Sequence, residues 1–213
     1  WMSRETSVRH IILTFIMAGI INGAQLALFI GPTSETWDWK AYAEAVRMKE
    51  AGIDQSEILA KTGIFWGNDG KPRMEIDDSM AYSTEQVGIL NRALVHPELY
   101  KAYPSLKNLP TELVTTPDAT DVGSARYDRG TLPATEKITV TAPQSAQRAQ
   151  LLHEAQHAIQ MREGWQSGAD SRAMPFEQYL NAQGEIEARA AVDRSYLTQA
   201  QRRANIPNFK GNK

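Results

Sequence analysis

No cysteine occurs anywhere in the chain. Disulfides, thiolate metal sites and cysteine nucleophiles are all excluded, so any bound metal must be held by His, Asp or Glu. An excess of charge of one sign is also missing: 23 Lys and Arg face 25 Asp and Glu, a net charge of −2. That balance draws the chain as a whole neither to nucleic acid nor to an anionic membrane, and no nucleic-acid partner is expected. There is no internal repeat and no low-complexity tract. Histidine is scarce, with four in 213 residues, yet two of the four stand in one short run, "LLHEAQHAIQ", Leu151 to Gln160.

What is present suits a globular protein. Hydrophobic residues make up 42% and charged residues 23%, ordinary usage in a chain long enough to bury a core. The residues from Ile11 to Ser34 carry no charge. Arg4, Arg9 and His10 precede them, and Trp37 and Trp39 follow. Basic residues before and aromatic residues after an apolar run outline a membrane span or a signal sequence. A helix buried against the domain or a partner is the rival reading, and Asn22, Gln25 and three glycines dilute the run. The expected organisation is an apolar N-terminal helix and linker over 1–35, then a folded domain over 36–213. The chain starts at Trp1 ahead of Met2, which leaves open a cloning remnant or a piece of a longer chain.

Beyond residue 36 the pattern alternates between helices and short strands. Asp38 to Gly52 reads as a capped helix, and Asp54 to Gly63 as a second, with Asp54 and Glu57 at capping-box spacing. Two β-prone runs flanking Asn68-Asp69-Gly70 predict a hairpin. "STEQVGILNRALV" predicts a helix with Ser83 as N-cap, and "HPELYKAYP" a short helical turn. Strands are expected near Leu113–Thr115 and Ile138–Thr141, with a weaker one at Ser124–Asp128 inside a stretch from Pro117 to Thr135 that should be largely loop. Thr141 and Gln144 have capping-box spacing, which opens a helix from about Ala142 to Glu163. Another helix is expected from Gly184 to about Asn205.

His153 and His157 are four apart on the first of these helices, so they share a face one turn apart. Two imidazoles so placed can both reach one zinc ion, with bonds of about 2.0–2.1 Å. Glu154 is rotated about 100° from His153, away from the ligand position, where it can act as general base towards the attacking water. A solvated helix bearing two surface histidines is the plain alternative. Leu151, Leu152, Ala155, Ala158 and Ile159 argue against it, because they bury this stretch. A catalytic zinc normally has three protein ligands, and a third histidine at the expected spacing is replaced by Glu163. The third ligand is therefore expected from "GEIEAR". Glu185 is favoured because its face runs through Ala188, Val192 and Tyr196. Glu187, with Ala190, Arg194 and Thr198 on a wetter face, is the runner-up. Arg189 and Glu187 are expected behind the ligands, Arg189 to hydrogen-bond the ligating carboxylate.

Other polar residues receive quieter readings. Tyr127, Tyr179 and Tyr196 are expected to pack or to line a rim rather than to stabilise an oxyanion. His96 is expected at a helix start, Asp77 and Asp78 in a turn, and the basic C-terminal run as a solvated end.

"HEAQHAIQMREGW" followed by "YLNAQGEIEAR" resembles the metallopeptidase-like domain found among the large polyvalent proteins of bacteriophages and conjugative elements. Its pattern is HExxHxIQ, a GF or GW step, then GExEAR. "LFIGPTSETWD", "GIDQSEILAKTGIFWGNDGKPRMEIDDS" and "HPELYKAYPSL" are similar to the stretch that precedes that domain. The resemblance runs from about Leu26 to Phe209. It implies an α+β, zincin-like, gluzincin-type fold: a small β-sheet packed on the HExxH helix, Zn2+ as cofactor on His153, His157 and Glu185, and Glu154 as catalytic base. It also implies a peptide or protein substrate, and a life in the host cytoplasm or the phage virion as part of a very long chain. The alternative is a virion- or membrane-associated component that contacts its surroundings through residues 11–34 and keeps a zinc-stabilised fold without turnover. An intact fold with no metal is the third.

Overall fold

The computed structural model describes residues 28–78, 80–117, 123–130, 135–169, 173–194 and 197–209. Most of the apolar N-terminal segment therefore lies outside the described residues. Its end does not continue as a helix: Phe29–Ile30 form a strand, β1, buried in the core. Among the described residues no helix is long and apolar enough to cross a membrane.

Two helices follow, α1 (Trp39–Glu50) and α2 (Gln55–Thr62). The Asp38 carboxylate accepts from the Ala41 N–H and Asp54 from the Ser56 N–H, satisfying orphan donors of each first turn. The hairpin is present as β2 (Ile64–Trp66) and β3 (Pro72–Glu75). β3 is the middle of an antiparallel sheet ordered β1-β3-β2, with Phe29 opposite Glu75 and Phe65 opposite Arg73.

The expected helix beginning at Ser83 does not form. The stretch instead breaks into β4 (Tyr82–Ser83), β5 (Gly88–Ile89), a single turn α3 (Leu90–Ala93) and β6 (Leu94–Val95). Its backbone bonds go to strand pairing instead: the two ends of the stretch pair with each other as β4 and β6, and β5 pairs with a strand further on. Tertiary pairing overrides the weak local helix signal here. Then come α4 (Pro97–Ala102), with His96 as N-cap as expected, and a 3-10 turn over Pro104–Asn108.

The main sheet has four strands in the order β5-β7-β9-β8. β7 is Pro110–Thr115, β8 is Ser124–Asp128 and β9 is Lys137–Ala142. β7 and β9 are parallel, and β8 runs antiparallel to β9 at the edge, with Tyr127 opposite Ile138. β9 alternates strictly, turning Ile138, Val140 and Ala142 inward, as a half-buried strand must.

Pro143 then switches the chain into the long helix α5 (Gln144–Glu163). Ala142 ends the strand, so the helix starts two residues later than expected, and no side-chain cap from Thr141 is made. Leu151, Leu152, Ala155, Ala158 and Ile159 are buried in the same core as β9. Truncating Leu151 to alanine at such a site costs about 2–5 kcal/mol. Gly164, at φ +62°, closes α5 in the left-handed conformation that glycine adopts without steric cost. After it come α6 (Phe176–Asn181), which the sequence pattern did not suggest, and α7 (Gln183–Asp193). The single helix expected up to Asn205 is divided: α7 is capped at Arg194, and Thr198 starts a separate α8 (Gln199–Ala204) through a full capping box with Gln201. The fold is thus mixed α+β, with small sheets, one central helix and several peripheral ones.

Candidate metal centre

α5 presents His153 and His157 on one face, with ring centroids 4.7 Å apart. Their Nε2 atoms approach to 3.1 Å. Glu185, in the first turn of α7, reaches across to both: Oε2 is 3.3 Å from His153 Nε2, and Oε1 is 3.2 Å from His157 Nε2. One ligand atom from each residue falls within 4.8 Å of the others. The donor set suits a zinc ion, being two imidazole nitrogens and one carboxylate oxygen. The spacing suits it too, because ligand atoms on a tetrahedron with bonds of about 2.0–2.1 Å stand about 3.3 Å apart. Glu185 is 2% exposed and His157 is nearly as buried, whereas the His153 side chain is 17% exposed, so the centre opens to solvent on the His153 side.

The electrostatics follow from this crowding. Burial alone would raise the Glu185 carboxyl, but hydrogen bonds and charge from both imidazoles hold it far below the usual carboxylate range. Burial pulls His157 down, and Glu185 together with Glu154 outweighs it, lifting His157 to about 9. Glu154 is 3% exposed. Burial pushes its carboxyl up, the two imidazoles oppose that, and the main-chain N–H of Tyr127 on β8 holds the charged form. Ligation of a metal needs both imidazoles neutral at the ligating nitrogen and the carboxylate ionised, so affinity for an ion here would rise with pH.

Neighbouring groups fix the ligands. His157 Nδ1 donates to Gln160 Oε1 at 2.8 Å, which leaves Nε2 to face the cluster. Gln160 is wholly buried and in turn donates to the Gly184 carbonyl at 2.9 Å, tying α5 to α7. The Ala169 N–H donates to Glu185 Oε1 at 2.9 Å. The loop carrying it passes so close that a Cβ on Gly168 would stand 2.5 Å from His157 Cε1 and 2.7 Å from Glu185 Oε1. Gln160 and Gly168 escaped the sequence reading. Gln160 closes the HExxHxIQ pattern and stands three residues after His157, within reach on a helix, yet no role was expected of it; Gly168 gave no signal. Tyr179 on α6 lies against Glu185, and burial with that charge raises its phenol well above the ordinary range.

Two expected supporting residues fall elsewhere. Glu187 stands apart from the cluster: its face is not wet but covered by the β2–β3 hairpin, and its Oε2 accepts from Arg73 Nε at 3.0 Å and Nη2 at 2.7 Å. Arg189 donates to the Leu180 carbonyl, joining α6 to α7, in place of the expected bond to the Glu185 carboxylate. Tyr196 lies outside the described residues. Asp78, expected in a turn, is completely buried against His96.

Fold and site together define an α+β protein with a buried His-His-Glu cluster and a glutamate beside it. Residues 27–85 match the family model "Large polyvalent protein associated domain 23", which links the chain to large polyvalent proteins. The match covers β1 to β4 and ends well before His153, so the cluster lies outside it. No curated protein and no solved structure matches the chain.

Proposed function

We propose that the chain is a zinc-dependent peptidase of gluzincin type. The observation that carries this reading is the convergence of His153, His157 and Glu185 to mutual distances of 3.1–3.3 Å with Glu154 buried beside them. His153, His157 and Glu185 would hold the ion. Bound there, zinc supplies a Lewis acid that polarises the scissile carbonyl and acidifies the attacking water. Glu154 removes a proton from that water at a carboxylate oxygen and passes it to the leaving amide nitrogen. The Tyr127 N–H keeps Glu154 oriented for the transfer. Gln160 holds the His157 tautomer, and Ala169 holds one oxygen of Glu185. β8, which among the described residues pairs only with β9, offers its other edge to an extended peptide as an added strand.

The uncharged run from Ile11 to Ser34 favours a second reading, a virion- or membrane-associated component whose zinc site only stabilises the fold. Cleavage of a denatured protein mixture by wild type and by Glu154→Gln separates the two. The peptidase reading expects cleavage by wild type and none by the variant, at equal zinc content. Zinc binding without cleavage by either protein favours the second.

A further inference from the structure

Arg73 is the most deeply buried arginine among the described residues, 2% exposed, and the metal chemistry does not use it directly. It stands on β3, within the segment that matches the polyvalent-protein family model. Its guanidinium is held on every side. Asp69 Oδ1 accepts from Nη1 at 2.7 Å and Oδ2 from Nη2 at 3.1 Å, and the Lys71 carbonyl accepts from Nη1 at 2.8 Å. The Trp165 ring, just past the end of α5, lies under the guanidinium at 4.0 Å. The remaining edge grips Glu187 through Nε and Nη2.

These contacts lead to the cluster by a short path. Glu187 is two residues from Glu185 and three from Gly184 on α7, so the grip of Arg73 fixes the turn that carries both. Gln160 donates to Gly184 at the start of the same helix and accepts from His157 Nδ1. A planar, bidentate donor fixes a carboxylate more tightly than a point charge does. A ligand imidazole held by such a neighbour loses about 10–100-fold in metal affinity when the neighbour is removed.

We propose that Arg73 is a positioning residue for the metal centre, acting through Glu187 and Gln160 on His157. The hairpin of the polyvalent-associated segment is then a working part of the centre, not a separate module. This rests on the metal-site reading above.

The test is zinc affinity of the full chain, measured by chelator competition, alongside melting of the metal-free protein. Arg73→Lys and Asp69→Asn are compared with wild type, and Arg73→Lys is combined with Gln160→Met. Arg73→Lys is expected to weaken zinc binding about 10–100-fold, and Asp69→Asn by less. Because Arg73 and Gln160 act in series, the double variant should bind about as weakly as Gln160→Met alone. Asp69→Asn is milder and carries the test if Arg73→Lys does not fold. Unchanged affinity in both hairpin variants with lower metal-free melting, or additive losses in the double variant, would overturn the positioning role. A wild-type chain that takes up no zinc would instead sink the metal-site reading itself.

Discussion

Two buried meetings of imidazole and carboxylate lie in this molecule, and they are completed differently. Asp78 and His96 form a closed pair: both side chains are fully buried, and Oδ1 and Nε2 are in contact at 2.5 Å. The backbone serves the outer atoms, with the Leu28 N–H on Asp78 Oδ2 and the Leu99 N–H on His96 Nδ1. The cluster of His153, His157 and Glu185 brings two imidazoles to one carboxylate at 3.2–3.3 Å, longer than a strong charged hydrogen bond of about 2.7–2.9 Å. Three donor atoms converging at that spacing suit a cation. A pair that closes on itself needs no ion, whereas the open set of donors is what supports the metal-site proposal.

The sharpest way to break this comparison is chemical. Glu154→Gln should lower peptide cleavage by about 10²–10⁴-fold while zinc content stays at the wild-type level, as read by a cleavage assay with elemental analysis. At the other centre, Asp78→Ala leaves His96 buried without its partner, and should cost about 3–5 kcal/mol in urea unfolding. Zinc content of the folded Asp78→Ala protein should not change; if it falls, the two centres are not independent.

The pH dependence sharpens the same contrast. Burial raises Asp78 from 3.8 to about 6, against the pull of His96. Between those values the folded state binds the extra proton, so this group's contribution to stability is greatest at low pH and is lost as pH rises through about 6. Wild type should therefore lose melting temperature relative to Asp78→Asn between pH 4 and 6, by scanning calorimetry. A smaller effect is expected of the exposed Lys137–Glu112 ion pair across β7 and β9. Lys137→Ala should change stability by less than about 1 kcal/mol, and less still in high salt.

The cluster was legible because its determinants are local. Helical spacing alone brings His153 and His157 together, and the apolar neighbours Ala188 and Val192 turn Glu185 inward. Glu187 was misjudged as facing solvent because what covers it, Arg73 on a hairpin, is more than a hundred residues away in the chain. Asp78 and His96 meet for a similar reason, and no spacing in the sequence announces that contact. The helix expected after Ser83 failed where strand pairing with distant segments took the backbone hydrogen bonds. Local capping and periodicity predicted α1, α2, the hairpin and most of α5, whereas the break after Asp193 and the start of α5 depended on Thr198 and on strand β9.

The most direct test is the metal content of the purified full-length chain after dialysis, wild type beside Glu185→Ala. About one zinc per wild-type chain and almost none in the variant is the expected result. An empty wild type, or a variant that keeps its zinc, would contradict the assignment of His153, His157 and Glu185.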